Sequence, residues 1–213
     1  MRGLAYYEAP EFHEFLLSRE RREIFPADRI LSQIQWEGVK ELLDFGMGNG
    51  FFLPGFYKHL DEDCNIWGAE CQEELIDYVL GVKVKEELER LIPFYNERTE
   101  HPLLPDWIPE MDVIFCSCVM STFADPALAI RGIGRSMKND GRMILVDWEK
   151  IEAPVGPEIG QKISKDRMAY FVEDAGYIVS NSLRGGKYYY AMEITKGESA
   201  RKTDDRYNYV EFD

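Results

Sequence analysis

The sequence predicts an α/β fold: a seven-stranded, mainly parallel sheet with helices on both faces and an antiparallel hairpin at one edge. Three observations carry that reading. Strand-like and helix-like stretches alternate through most of the chain. Two strand-like runs, MDVIFCSCVM and GRMILVDW, are almost unbroken in apolar residues, as strands are when both faces are covered. The last two strand-like runs are joined around Arg184-Gly185-Gly186, a link too short for a helical crossover but long enough for a hairpin.

In chain order, residues 11–35 read as helical. Phe12, Phe15, Leu16 and Ile24 supply an apolar face, and Pro26-Ala27-Asp28 suits the start of a second helix through Ile30, Leu31 and Ile34. Strands are expected at residues 39–45, 65–70, 91–97, 112–119, 142–148, 176–183 and 187–195. GMGNGFFLPGFYKHL is a glycine turn entering a helix, with Pro54 in the first turns, where a missing N–H costs little. Further helices are expected in QEELIDYVLGVKVKEELERL, with a break near Gly81, in ADPALAIRGIGRSMK, and in KISKDRMAYFVEDAG. Asn139-Asp140-Gly141 reads as a turn before the fifth strand. Tyr188-Tyr189-Tyr190 lies in the last strand, so alternate rings point to opposite faces, and packing at the sheet edge is the expectation for it. The chain divides into an N-terminal helical cap or lid (1–35), the α/β domain (36–196) and a polar tail (197–213).

The 213 residues suffice for one domain with a full core. A formal net charge of −14 argues against nucleic acid as a partner, because that affinity comes mainly from Lys and Arg on phosphates. MRGLAYYEAPEFHEF lacks the apolar centre of a signal peptide, and no run approaches the roughly 20 apolar residues that span a bilayer. The expectation is a cytoplasmic protein without a membrane partner. Cys64, Cys71, Cys116 and Cys118 form no C-x-x-C pair and read as thiols. Cys116 and Cys118 alternate on one face of the fourth strand, where apolar packing is a better reading than a metal site.

The first strand–turn–helix, LLDFGMGNGFF, carries the candidate site. In an open parallel sheet, ligands bind beyond the carboxyl ends of the strands, where strand order reverses. Gly46, Gly48 and Gly50 let the backbone turn tightly and approach a ligand where a Cβ would clash. The third glycine comes one residue too early for the G-x-G-x-x-G of dinucleotide folds, and the acid Asp44 beside a pyrophosphate would be unfavourable. The second strand ends at Glu70, 20 residues beyond Gly50. A carboxylate there can accept hydrogen bonds from both hydroxyls of an adenosine ribose.

On these residues the chain resembles the class I S-adenosylmethionine-dependent methyltransferases, whose first motif is an acid followed by G-x-G-x-G; the resemblance extends from about Pro26 to Lys196. It implies a Rossmann-like fold and S-adenosylmethionine as cofactor. It implies that Glu70 holds the ribose hydroxyls and that the glycine turn faces the methionine part. Asp44 would position that part's amino group, directly or through water. ERTEHPL places Glu97 where the family carries an acid toward the adenine amino group, and CSCVMSTF, with Cys118, would line the cofactor beside the substrate.

Methyl transfer from a sulfonium is an in-line displacement, so the protein must chiefly align a nucleophile and exclude water. Many relatives carry His or acidic residues just after strand four. Ser121 and Thr122 stand there instead, and neither is a convincing base. That suits an already nucleophilic acceptor (a thiol, thioether or amine) on a small molecule or a protein side chain. The leading reading is an active methyltransferase; the alternative is a cofactor-binding protein that has lost catalysis and acts as a sensor or assembly partner. A nicotinamide-dependent oxidoreductase is disfavoured by the early glycine and by Asp44. Asp147 and Trp148 end strand five on the substrate side, and Tyr6, Tyr7, His13 and Arg21 lie in the segment that would cover the cofactor. Tyr6 to Arg22 and Asp147 to Gly160 are expected to form most of the acceptor pocket.

Overall fold

The computed structural model describes residues 15–16 and 18–198. Two short helices, α1 (Arg19–Ile24) and α2 (Ala27–Leu31), lead into the sheet. Ser18 caps α1, its Oγ accepting from the Arg21 N–H at 3.1 Å. Seven strands follow among the described residues: β1 (Glu41–Phe45), β2 (Asn65–Glu70), β3 (Leu91–Tyr95), β4 (Met111–Ser117), β5 (Met137–Trp148), β6 (Tyr177–Leu183) and β7 (Tyr189–Lys196). They form one sheet in the order β3-β2-β1-β4-β5-β7-β6. Strands β1 to β5 are parallel, and β7 runs antiparallel to both β5 and β6. The order reverses between β1 and β4, which opens a crevice above their carboxyl ends.

Helices α3 (Leu53–His59) and α4 (Glu73–Lys85) cross between the first three strands, and α5 (Pro126–Gly134) and α6 (Lys165–Asp174) follow β4 and β5. Strand alternation sends residues to two cores. Leu42, Ile66, Phe115 and Val146 pack with α2 and α3 on one face, while Leu43, Ile114, Leu145 and Met192 pack with α5 and α6 on the other. Each such fully buried side chain contributes about 1.5–3 kcal/mol, so β1, β4 and β5 form a stiff floor under the crevice. No helix of the described residues is long and apolar enough to cross a membrane.

Several local readings need correction. Helix α4 passes through Gly81 unbroken, because that position faces open space and no packing conflict interrupts it. Strand β5 begins at Met137, where a turn was expected at Asn139–Gly141. Its pairing with β4 jumps from Met111↔Met137 to Val113↔Arg142, so the polar residues bulge out within the strand. A Cβ on Gly141 would lie 2.8 Å from the Met111 carbonyl oxygen, which explains the glycine. Strand β3 stops at Tyr95, so Glu97 lies beyond it. Strand β7 is interior and β6 is the edge. The tyrosine run therefore does not pack at an edge: Tyr189 and Tyr190 are buried on opposite faces.

Candidate active site

The crevice contains a cleft that adjoins a smaller one. The two share Gly46, Glu70, Cys71, Arg98, Val119 and Thr122, and so form one continuous trough across β1, β2 and β4. Gly46, Gly48, Glu70 and Cys118 line the larger part, and Glu97 lies exposed on the smaller part beside buried Asn96. Asp44 and Gly50 sit outside the lining. Gly50 turns its Cβ direction toward Leu53 and Val79, and Asp44 is buried beneath the glycine turn.

The turn is built from backbone bonds and positive φ. The N–H groups of Gly46 and Met47 donate to the Ala69 carbonyl at 2.9 and 3.1 Å, and Gly50 N–H donates to Met47 O at 3.0 Å. Gly46 and Gly48 hold φ of +74° and +55°, a region L side chains rarely enter. Glu70 closes the arrangement. Its Oε2 accepts from Gly48 N–H at 2.9 Å, and its Oε1 accepts from Cys71 and Gln72 N–H at 2.8 and 3.1 Å. Those three donors fix the carboxylate at the cleft wall and leave it lone pairs for hydroxyl donors.

Asp44 is 2% exposed, and among the described residues its Oδ2 has no hydrogen-bond partner. Burial, and next the charge of Glu70, push its carboxyl up to about 7, against the opposing pull of Arg21. An acid in that position is costly without a cation. A bound ammonium would supply one.

Strand β4 ends at Ser117, and Cys118 then adopts φ +57°. That reversal separates the two thiols expected on one face: Cys116 is buried with α5 and α6, whereas Cys118 lines the cleft. Burial pushes the Cys118 thiol well up, so it stays protonated. Asp147 turns away from the cleft as well. It is 1% exposed, and it accepts from Ser121 N–H and Ser121 Oγ at 3.0 Å each and from Trp148 N–H at 2.8 Å. Thr122 Oγ1 donates to Val119 O at 2.7 Å. Both hydroxyls thus tie down the 3₁₀ turn after β4.

Aromatic rings close the far end. Trp148 and Tyr189 both line the cleft with their centroids 4.3 Å apart, and Phe25 lies 4.3 Å from Tyr189. Of the two segments expected to form the acceptor pocket, Phe15, Leu16 and Arg21 from the first and Trp148 from the second line the cleft. Tyr6, Tyr7 and His13 lie outside the described residues. In the second segment Gly156 packs against Trp148; a Cβ on it would lie 2.6 Å from that ring.

A family model for a methyltransferase domain matches residues 38–197, the span that carries every feature of the trough except the cap. The chain belongs to the methyltransferase-domain family. The resemblance to class I S-adenosylmethionine-dependent methyltransferases is borne out, as is the fold expected from it. A curated relative, the uncharacterized methyltransferase YcgJ of Bacillus subtilis (strain 168), is 27% identical over 126 residues, 59% of this chain. The match spans 47% of that relative. A SAM dependent methyltransferase from Aquifex aeolicus superposes with a TM-score of 0.77 at 24% identity, over 87% of this chain and 97% of that one. The O-methyltransferase NcsB1 from neocarzinostatin biosynthesis, in complex with S-adenosyl-L-homocysteine and 1,4-dihydroxy-2-naphthoic acid, superposes at 0.70 and 15% identity, over 91% and 60%. These two likenesses speak to the fold.

Within this domain, sequence reasoning missed Arg98, Cys71 and Asn96 as cleft residues. Arg98 lines both parts of the trough and donates from Nη2 to Thr122 O at 2.9 Å. Its one signal was adjacency to Glu97. Buried Lys162 was also missed: its Nζ sits 5.0 Å from the Trp148 ring centre and donates to Ile151 O at 2.8 Å.

Proposed function

We propose that the protein is an active S-adenosylmethionine-dependent methyltransferase whose acceptor is a small, largely apolar molecule bearing an already nucleophilic atom. The observation that carries the reading is the buried Asp44 carboxylate, whose Oδ2 has no hydrogen-bond partner among the described residues, under the glycine turn and within reach of the charge of Glu70. The residues present fit S-adenosylmethionine. Glu70 would accept from its ribose hydroxyls, Asp44 would take its ammonium, and Asn96 and Glu97 stand where its adenine would lie. When bound, the cofactor supplies a methyl group already made electrophilic by its positive sulfur.

This chain's residues then hold and exclude. The backbone of Gly46 to Gly48 leaves room beside the cofactor's amino-acid part. Trp148, Tyr189, Phe25 and Phe52 keep water from the reacting atoms and favour a flat or apolar acceptor. Ser121 and Thr122 are already engaged, so the acceptor must arrive nucleophilic, as a thiol, thioether, amine or ionised hydroxyl. The enclosed aromatic wall favours a small molecule over a protein side chain.

The test is calorimetric titration with S-adenosylhomocysteine, followed by S-adenosylmethionine turnover against a panel of aromatic thiols, amines and phenols. Binding at micromolar concentration and turnover of at least one acceptor class support the reading. Absence of binding at millimolar concentration overturns it. Binding with no turnover across the panel would favour the catalytically inactive sensor instead.

A further inference from the structure

A buried cation stands behind the aromatic end of the cleft. Lys162, just before α6, is 3% exposed. Its Nζ donates to Ile151 O at 2.8 Å and sits 5.0 Å from the centre of the Trp148 ring, which lines the cleft with Tyr189. Among the described residues Lys162 forms no ion pair. Burial pulls its pKa down, and Cys118 alone opposes that fall. A carbonyl needs only a neutral amide as its donor. An ammonium in the same place keeps a desolvation cost that the Ile151 bond does not require.

The field of this charge reaches the cleft wall at Cys118. Burial raises that thiol most and Asp147 raises it further, while Arg21 and Lys162 pull it down. Asp147 is already answered by the Ser121 N–H and Oγ and by the Trp148 N–H. Lys162 has only a carbonyl dipole and a ring face. Its positive charge therefore acts on whatever lies against Trp148 and Cys118 without a carboxylate of its own beside it.

We propose that Lys162 sets acceptor choice, favouring an anionic acceptor (a thiolate or a phenolate) over a neutral amine. The proposal rests on the methyltransferase reading and narrows its acceptor class. The acceptor's proton goes to solvent on ionisation. Its anionic sulfur or oxygen forms the bond to the methyl carbon as the methyl–sulfur bond breaks, and that electron pair stays on the departing sulfur, which becomes neutral. Ser121 and Thr122 are engaged, so a field that raises the ionised fraction does what a base would otherwise do. The gain exceeds the loss, because thiolate reactivity falls with pKa at a Brønsted slope of only about 0.4–0.5. Lys162 acts from behind the wall and is a specificity-determining residue, not a catalytic one.

The experiment uses the full chain saturated with S-adenosylhomocysteine, with its Lys162→Met and Lys162→Arg variants. Two flat probes of nearly equal size are titrated at pH 8: 4-nitrophenol, which ionises, and 4-nitroaniline, which stays neutral. The unaltered chain should bind the phenolate about fivefold more tightly than the aniline. Lys162→Met should bring that ratio to about one, and Lys162→Arg should keep most of it. Absorbance of the phenolate gives a second reading: bound 4-nitrophenol should ionise at lower pH than the free probe, and Lys162→Met should abolish the difference. A role in packing alone would weaken both probes together and leave the ratio and the absorbance shift unchanged, which overturns the proposal. So does tighter binding of the aniline by the unaltered chain, or binding of neither probe. If Lys162→Met fails to fold, the absorbance shift in the unaltered chain and in Lys162→Arg decides. Binding of S-adenosylhomocysteine itself is measured first: where it binds and the probes show no preference, this inference falls and the donor reading stands, and where it does not bind, both fall.

Discussion

The Gly48 N–H donates to Glu70 Oε2 at 2.9 Å, which ties the loop after β1 to the carboxylate that ends β2. One side chain thus shapes the turn and presents acceptors to the cleft. Glu70→Ala removes both functions and leaves the N–H groups of Gly48, Cys71 and Gln72 without that acceptor. S-adenosylhomocysteine binding should weaken by about 1–3 kcal/mol. Glu70→Gln keeps the shape and should lose affinity with a smaller fall in melting temperature. Calorimetric titration beside thermal melts separates the two effects, and an unchanged dissociation constant in both variants would remove Glu70 from the site.

The glycines of the turn should not respond alike. A Cβ on Gly46 would run into Val119 Cγ2, and φ there is +74°. A Cβ on Gly48 would meet only Leu16 Cδ1 at 3.5 Å, with φ +55°. Gly46→Ala therefore combines backbone strain with a clash, whereas Gly48→Ala carries strain of about 1–2 kcal/mol alone. Denaturant melts should show the larger stability loss for Gly46→Ala. Gly48→Ala should act mainly on cofactor affinity, since its Cβ points into the cleft lining. Equal stability losses would contradict this account.

What could be read from the chain follows from how local each signal is. The strand cores, the order of crossovers and the closing hairpin lie in short-range patterns of apolar residues and glycines, and the structure reproduces them. The turn at Gly46–Gly50 and the acid at Glu70 were legible because strand, turn and helix adjoin in sequence. The bulged start of β5 was not, because Lys138 to Gly141 are polar and only their pairing with Met111 makes them strand. The positive φ of Cys118 had no sequence signal, and it sends the two thiols to opposite faces. Asp147 read as a cleft residue because its bond to Ser121, 26 positions away, exists only once β4 and β5 are side by side.

That bond makes a prediction of its own. Ser121→Ala removes one of the hydrogen bonds that hold the turn after β4, so thermal stability should fall by about 1 kcal/mol. Asp147→Ala removes three, leaves buried donors unpaired, and should cost about 2–4 kcal/mol. Affinity for S-adenosylhomocysteine should change little in Ser121→Ala. A Ser121→Ala protein of undiminished stability that lost turnover would reassign the hydroxyl to chemistry.

The last prediction concerns protons. Burial holds the Asp44 carboxyl at about 7 against an ordinary 3.8, with Glu70 adding to the rise and Arg21 opposing it. For an acid raised on folding, the stabilising contribution is complete below the ordinary value and is lost as pH climbs to the folded one. The cofactor-free protein should therefore lose stability from about pH 4 to 7 on account of Asp44, and Asp147, raised to about 6 by burial, acts in the same direction. Binding of an ammonium reverses the preference, because only the ionised carboxylate attracts it. S-adenosylhomocysteine affinity should fall as pH drops below 7, and binding at pH 6 should release close to one proton, fading by pH 8. Calorimetry in buffers of different ionisation enthalpy reads that number directly. Asp44→Asn should bind more weakly at pH 8, release almost no proton at pH 6, and show a flatter stability profile between pH 4 and 7. A variant that released as many protons as the unaltered chain would show that the linkage belongs to another group, and Asp44 would then be a buried acid without a part in cofactor binding.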